Sequence, residues 1–154
     1  VSIYDLSKRG VEIESYTFLN PSYLPAKLTA TNSLVISHLQ KVYTMHSNRG
    51  IIKINLNKEI ASDNLTKVKK ETTYTYAGEY NLIDQKISRN LLNNVEQGKV
   101  IEKVLYQHVD TAAKYIVGKP KEIKTTTTAY GGTFSTTKSY EYDAKGNIIV
   151  EKIS

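Results

Sequence analysis

The chain contains no cysteine among its 154 residues. That absence excludes a disulfide framework, a thiolate nucleophile and any cysteine-based zinc site. No apolar run reaches the length of a membrane-spanning helix, so membrane insertion is not expected. Tryptophan is also absent, and the aromatic content consists of 12 tyrosines and 2 phenylalanines. These absences remove several classes of site but select no cellular compartment.

Patterns of catalytic residues are missing as well. The three histidines, His38, His46 and His108, lie far apart, and none has another ligand-type residue at strand or helix spacing. We therefore interpret them as surface or rim histidines and expect no metal and no cofactor. Asp84 has no second carboxylate in register, and neither a phosphate-cradling glycine loop nor a nucleophile elbow is present. The chain is expected not to be an enzyme.

The net charge is +6, with a pI near 9.3. A basic balance can indicate a nucleic-acid or anionic partner. Here the lysines are scattered among acidic residues, and no basic cluster or RNA-binding aromatic motif accompanies them. Nucleic acid is therefore not expected as a partner.

Alternation of side chains dominates what is present. From Phe134 to Asp143 every second residue falls on one face, the pattern of a half-buried strand. Asp143 to Asn147 predicts a turn, because aspartate initiates turns and Gly146 and Asn147 tolerate a positive φ. Ile148-Ile149-Val150 then predicts a returning strand. Together these residues predict a β-hairpin in which Gly146 has a positive φ.

The same residues carry a family resemblance. Tyr140-x-Tyr142-Asp143-x-x-Gly146-Asn147-Ile148 resembles the YD repeat of Rhs-type proteins, a family of large bacterial secreted or surface polypeptides. The stretch 115–126, which contains Gly118 and Pro120, resembles the strand that often precedes a YD hairpin. The resemblance implies hairpins that wind into a spiral sheet, the wall of a hollow shell of which this chain would form a short arc.

An internal repeat supports this interpretation. Three landmarks recur at offsets of 95 to 97 residues: Pro25 and Pro120, Tyr43 and Tyr140, Gly50 and Gly146. We place the repeats at about 16–57 and about 106–154, with a middle hairpin at about 71–88 and a degenerate copy at the start. The chain opens in mid-pattern without methionine, so we interpret it as a fragment of a repeat region.

Three segments are less clear. Residues 59–70 are the least strand-like part, compatible with a short helix or with a loop. Residues 91–98 are expected to be a connector, with one helical turn ended by Gly98 as an option. The strand predicted at 99–109 has apolar residues on both faces, which predicts cover on both sides. The remainder predicts an all-β fold: about ten strands in one antiparallel meander, a wide twisted or curled sheet forming a single domain over residues 1–154.

The expected function is a non-catalytic structural module, part of the β-scaffold of a larger secreted or cell-surface bacterial protein. Its expected partners are neighbouring repeats or domains of the same parent chain. The alternative is a glycan- or protein-binding sheet, with Tyr74, Tyr76, Tyr140 and Tyr142 as an aromatic platform; otherwise these tyrosines stack across strands with their hydroxyls toward water. The residues assigned to the repeat motif, all in structural roles, are Tyr4, Asp5, Gly10, Pro25, Tyr43, Gly50, Tyr74, Tyr76, Gly78, Pro120, Tyr140, Tyr142, Asp143, Gly146 and Asn147.

Overall fold

The computed structural model describes residues 1–19, 35–48, 50–78, 80–111 and 114–154. It confirms the all-β antiparallel meander: ten strands form one sheet in the order in which they occur along the chain. One short 3-10 turn, Leu6–Lys8, is the only helical element in these residues. The strands are β1 Ser2–Asp5, β2 Val11–Phe18, β3 Val35–Asn48, β4 Ile51–Asp63, β5 Val68–Ala77, β6 Leu82–Leu92, β7 Val95–Thr111, β8 Lys114–Ala129, β9 Gly132–Tyr142 and β10 Ile148–Ile153.

The chain divides into two compact units. The first comprises Val1–Thr73 and Arg89–Gln97, and the second Tyr74–Ser88 and Gly98–Ser154. Strands β5, β6 and β7 therefore contribute residues to both. Pro25 and the strand predicted at 26–31 lie outside the described residues.

The β3–β4 hairpin is the longest element of the first unit. It pairs from Ser37 opposite Asp63 to Asn48 opposite Ile51. The helix or loop considered for residues 59–70 is wrong. β4 continues to Asp63, whose carboxylate accepts backbone N–H bonds from Leu65 and Thr66 at 2.8 and 3.0 Å and reverses the chain.

The helical turn considered for residues 91–98 is also wrong. Asn93 and Asn94 both have a positive φ, 51° and 64°, and they form a tight reversal between β6 and β7. Two consecutive residues in this conformation are the pattern of a type I′ hairpin turn, which asparagine tolerates. Gly98 consequently lies inside β7 and ends no helix.

The β7–β8 hairpin organises the second unit. Its pairing runs from Gly98 opposite Ala129 to Thr111 opposite Lys114, with register shifts near Tyr106 and again between Gln107 and Val109. The expectation that β7 is covered on both sides is wrong, because Leu105 is 56% exposed on one face and Val100 is also exposed on the other.

The terminal β9–β10 hairpin closes around Asp143. One carboxylate oxygen accepts the N–H groups of Lys145 and Asn147 at 2.9 and 2.8 Å, and the other accepts the Asn147 side-chain amide at 2.9 Å. The bonds from Asn147, followed by those from the other turn N–H groups, lower the pKa of Asp143. Gly146 has a φ of 80°, which confirms the sequence prediction.

Few side chains form a core. In the described part of the chain, the buried apolar side chains are Tyr16, Val35, Ile116 and Tyr142. With so few buried apolar side chains among the described residues, the fold depends on strand pairing and turn chemistry.

The first testable consequence concerns the turn glycines. Gly50 and Gly146 have φ values of 79° and 80°, and a Cβ at Gly50 would meet no atom within 4 Å. Gly50→Val and Gly146→Val should therefore each lower the free energy of unfolding through backbone strain, by about 1–3 kcal/mol. Urea melts followed by amide signals of the hairpin that carries the substitution would measure this as a lower midpoint for that hairpin.

Gly50→Asn is the matched control, because asparagine adopts a positive φ far more readily than valine. It should retain most of the wild-type stability. Gly131 lies outside the repeat motif but also has a positive φ, 76°, so Gly131→Val is not a suitable negative control. Unshifted midpoints for both valine variants would show that these glycines do not control their turns.

Candidate binding surface

The motif residues at chain reversals have local structural roles. Asp5 accepts bonds from the Ser7 backbone N–H and hydroxyl at 3.0 and 2.6 Å, and Lys8 donates to its second oxygen. These hydrogen bonds, that of Lys8 foremost, lower the pKa of Asp5 to about 2. Asp143 has the same kind of role, as predicted for both aspartates. Gly10, Gly50, Gly78 and Gly146 each lie at a reversal with a positive φ.

The motif tyrosines do not form one platform. Tyr74 and Tyr76 lie on β5, whereas Tyr140 and Tyr142 lie on β9, and three strands separate β5 from β9 in the sheet order. Tyr142 is buried, and its hydroxyl donates to the Pro120 carbonyl at 2.6 Å. The expectation that its hydroxyl faces water is therefore wrong. Burial raises the pKa of Tyr142. The hydrogen bond links β9 to Pro120 on β8, which lies in the stretch 115–126.

Sequence reasoning missed a different aromatic group, three rings in the second unit. The ring of Tyr80 stacks on His108 with centroids 5.0 Å apart and planes 20° apart. The ring of Tyr106 lies 6.4 Å from that of His108, tilted by 31°. We call Tyr80, His108 and Tyr106 the aromatic row. The sequence does contain one indication of this row: Tyr106 and His108 are two positions apart, a spacing that places both side chains on one face of a strand.

Backbone contacts hold the row in place. The Tyr106 hydroxyl donates to the Ile83 carbonyl at 2.7 Å, which fixes the ring over β6. The Gly118 N–H donates to His108 Nδ1 at 3.3 Å, at the shift between Gln107 and Val109. Because Nδ1 accepts a bond, neutral His108 carries its proton on Nε2. The row therefore combines aromatic surface with one oriented N–H donor.

The row is accessible. Tyr80 is 51% exposed although His108 stacks against it, and His108 is itself exposed. Burial, and after it the negative charge of Asp84, raises the pKa of Tyr106, the more enclosed end of the row. Asp84 accepts a bond from the Thr75 hydroxyl at 2.6 Å. Stacking surface, a donor and a nearby acceptor can bind a ligand that has both apolar and polar faces.

His38 lies in the first unit and is not a surface histidine, so that prediction is wrong. It is 8% exposed and stacks on Tyr16, its cross-strand partner, at 4.5 Å. Its Nε2 makes no hydrogen bond and lies 3.9 Å from a Glu14 carboxylate oxygen, to which Tyr16 also donates. Burial lowers the pKa of His38, and the Glu14 charge opposes this less strongly. Burial also raises the pKa of Tyr16 to about 12, assisted by Glu14.

Other surface features offer little chemistry. Within the described ranges, no three His, Asp or Glu side chains are grouped so that they could hold a metal ion. One shallow depression on the first unit is lined by Leu39, Ala61 and Val68 among others, and one on the second by Ile101, Lys103, Lys124 and Thr126. In the part of the chain that is described, no helix has the length and apolar character needed to span a membrane.

The buried histidine predicts a pH dependence of stability. Because the folded state holds the pKa of His38 below its unfolded value of about 6.5, folding favours neutral imidazole. The contribution of His38 to the free energy of unfolding should be fully present above that pH and should decrease as the pH falls through it. His38→Phe, which keeps an aromatic ring beside Tyr16, should flatten the curve, whereas His46→Gln, at an exposed position, should not. Urea midpoints measured from neutral to mildly acidic pH would test this. The same change of midpoint with pH in wild type and in His38→Phe would contradict the prediction.

Comparisons of the chain with family models, with curated proteins and with solved structures find no match in any of the three.

Proposed function

We propose that the chain is a non-catalytic structural module, part of a YD-repeat-like β-scaffold in a larger secreted or cell-surface bacterial protein. The scaffold encloses or presents another domain of the parent. The observation that carries this proposal is the meander itself, in which ten strands follow one another across a sheet in chain order and very few apolar side chains of the described residues are buried. Such a sheet extends by adding hairpins.

The organisation of the hairpins supports a repeat-like wall. Each strand pairs with its neighbours in the chain, so stability comes from adjacent elements, as in repeat proteins whose units bury little surface alone. The motif residues serve turns and strand contacts: Asp143 closes the last hairpin, and Tyr142 bonds the Pro120 carbonyl on the neighbouring strand.

Charge pairs on the strands suit a sheet exposed to water. Lys41 pairs with Glu12 at 2.8 Å in the first unit, and Lys138 with Glu151 at 3.8 Å in the second. Pairs of this kind at a water-facing surface add little stability. They supply charge of both signs between the apolar residues, which limits nonspecific sheet stacking.

Native-state hydrogen exchange tests the scaffold proposal. In a wall of hairpins without a shared core, each part opens with its own free energy. Gly50→Val should therefore lower amide protection in β3 and β4 by about five- to 150-fold, the equivalent of about 1–3 kcal/mol. Protection in β8 to β10 should stay unchanged.

Gly146→Val is the reciprocal control, which should lower protection in β9 and β10 and leave β3 and β4 intact. Equal loss of protection throughout the chain with either variant would indicate one cooperative core and would argue against a modular wall. The measurement is made at low protein concentration, so that association between copies does not affect it.

A glycan- or protein-binding sheet is the second candidate function, and the aromatic row favours it. Carbohydrate rings have apolar faces rimmed by hydroxyl groups, so they stack on aromatic side chains and bond to groups beside them. Tyr80 provides the exposed ring, His108 Nε2 the donor and Asp84 an acceptor.

Titration with cellohexaose and chitohexaose tests this second candidate. Tyr80→Ala should weaken binding about tenfold or more, because it removes the stacking surface, worth about 1.5 kcal/mol. Tyr130→Ala is the matched control, since Tyr130 is fully exposed at a turn and stacks on no other ring among the residues that the structure describes. Isothermal calorimetry would show the difference; no binding by wild type, or equal loss in both variants, would remove the row as a glycan site.

A further inference from the structure

Strands β7, β8 and β9 lie side by side, and their register decides which side chains share a face. Lys103 lies opposite Lys124, which in turn lies opposite Thr137 on the next strand. Because side chains alternate along a strand, every second residue from these positions lies on the same face. Over the regular part of the register this face consists of Lys99, Ile101, Lys103 and Leu105 on β7, Glu122, Lys124, Thr126 and Thr128 on β8, and Thr133, Ser135, Thr137 and Ser139 on β9. We call it the lysine face.

Positive charge is concentrated on the lysine face. Its three lysines and one glutamate give it a net charge of +2, the difference between the two counts. The opposite face of the same strand segments has one acid, Glu102, and one base, Lys138, so it has no net charge. That face contains more of the apolar side chains, among them Phe134, which is exposed. The two faces of this part of the sheet therefore suit different partners.

Lys103 and Lys124 form the centre of the lysine face. They lie directly opposite each other on neighbouring strands, and both side chains are exposed. Together with Ile101 and Thr126 they line a depression of about 200 Å³. Like charges directly opposite each other destabilise a sheet. This arrangement therefore lowers the stability of the ladder unless an anionic group binds between the two ammonium groups.

Two lysines of the terminal β9–β10 hairpin, by contrast, lie beside carboxylates. Those pairs are Lys138 with Glu151, at 3.8 Å, and Lys152 with Glu141, at 3.5 Å. Within the described ranges, no carboxylate forms an ion pair with Lys103 or Lys124. Glu122, the acidic residue of the lysine face, lies at the next pair on that face, opposite Leu105. The two ammonium groups can therefore bind a carboxylate from outside the sheet without breaking an existing ion pair.

Hydroxyl groups lie beside the two lysines. The Thr126 and Ser135 hydroxyls are 3.1 Å apart, and those of Thr128 and Thr133 are 3.3 Å apart. Hydroxyls both donate and accept hydrogen bonds, so they can bind carboxylate oxygens and peptide groups. No residue of the lysine face is aromatic, whereas sugar rings and unpaired nucleobases stack on aromatic side chains. The chemistry of this face therefore favours an acidic polypeptide over a glycan or a single-stranded nucleic acid.

We propose that the lysine face is a docking surface for an acidic polypeptide, whose carboxylates bind Lys103 and Lys124 together. The hydroxyl groups of the face then bond to polar groups of the same partner. The proposal rests on the scaffold function, because the partner is the domain that the scaffold encloses or presents, and it gives that domain an acidic contact surface. Charge complementarity brings the two together and fixes which face of the sheet is in contact.

Fluorescence anisotropy with a labelled oligoglutamate peptide tests the docking surface. The full chain should bind this probe, and binding should weaken as salt is added. Lys103→Gln combined with Lys124→Gln should weaken binding about tenfold or more, because it removes both ion pairs. Lys138→Gln combined with Lys152→Gln is the matched control, since it removes the same charge from lysines that already have glutamate partners. That control should bind within about twofold of wild type.

Lys124→Glu separates binding from stability. It places opposite charges across the ladder from each other, so it should raise the melting temperature slightly while it reduces binding at least as far as the double glutamine variant. If Lys124 served only the fold, the same substitution would lower the melting temperature and leave oligoglutamate binding unchanged. That result would overturn the proposal.

Three further outcomes would count against the docking surface: no binding by wild type, equal loss in the two double glutamine variants, or tighter binding of polygalacturonate or duplex DNA than of oligoglutamate. The second would show that net charge alone attracts the probe, and the third would assign the face to another polyanion. Failure of the scaffold function would look different, because hydrogen exchange measures it without the probe. Independent opening of the hairpins without oligoglutamate binding would remove the docking surface alone.

Discussion

Backbone hydrogen bonds between consecutive strands are the interaction on which this structure depends. Each contributes only about 0.5–1.5 kcal/mol net, and with four buried apolar side chains in the described residues there is little packing to add to them. Strand register therefore has to be set by local chemistry at the chain reversals. Asp63 and Asp143 do this with side-chain bonds to the backbone, and Gly50, Asn93, Asn94 and Gly146 do it by adopting a positive φ. A change at a reversal affects both of the strands that it joins.

The parts of the fold that depend on neighbouring residues could be predicted from the sequence. The turns at Gly50, Gly78 and Gly146 and the strands beside them follow from alternation and turn chemistry, and the structure confirms them. The misinterpreted segments are also local: Asn93-Asn94 is a turn pair without glycine, and β4 continues to Asp63, into the stretch for which a helix or a loop was expected. No distant contact is needed to explain the structure of either segment.

The surface features could not be predicted in the same way, because they depend on register between distant residues. Tyr80 and His108 are 28 positions apart, and their stacking requires β6 to lie beside β7 and the Gly118 N–H to reach His108. His38 lies directly opposite Tyr16 on the neighbouring strand, and the stacked ring of Tyr16 helps to bury it. The sequence pattern does not predict which residue of β2 lies opposite His38. A one-residue slip of either ladder would move these side chains to the other face. Alternation gives the face of a residue within its strand, but not its neighbours across the sheet.

The strand ladders and the aromatic row place different demands on the sequence. The ladders depend on backbone N–H and C=O groups, so they tolerate most substitutions except proline. The aromatic row offers side chains whose positions depend on the Tyr106–Ile83 and Gly118–His108 bonds, so it tolerates few. Because the two depend on different groups, a substitution that preserves the strand ladders can still disrupt the aromatic row. Many different sequences can therefore build the same sheet, whereas the arrangement of the row requires particular residues.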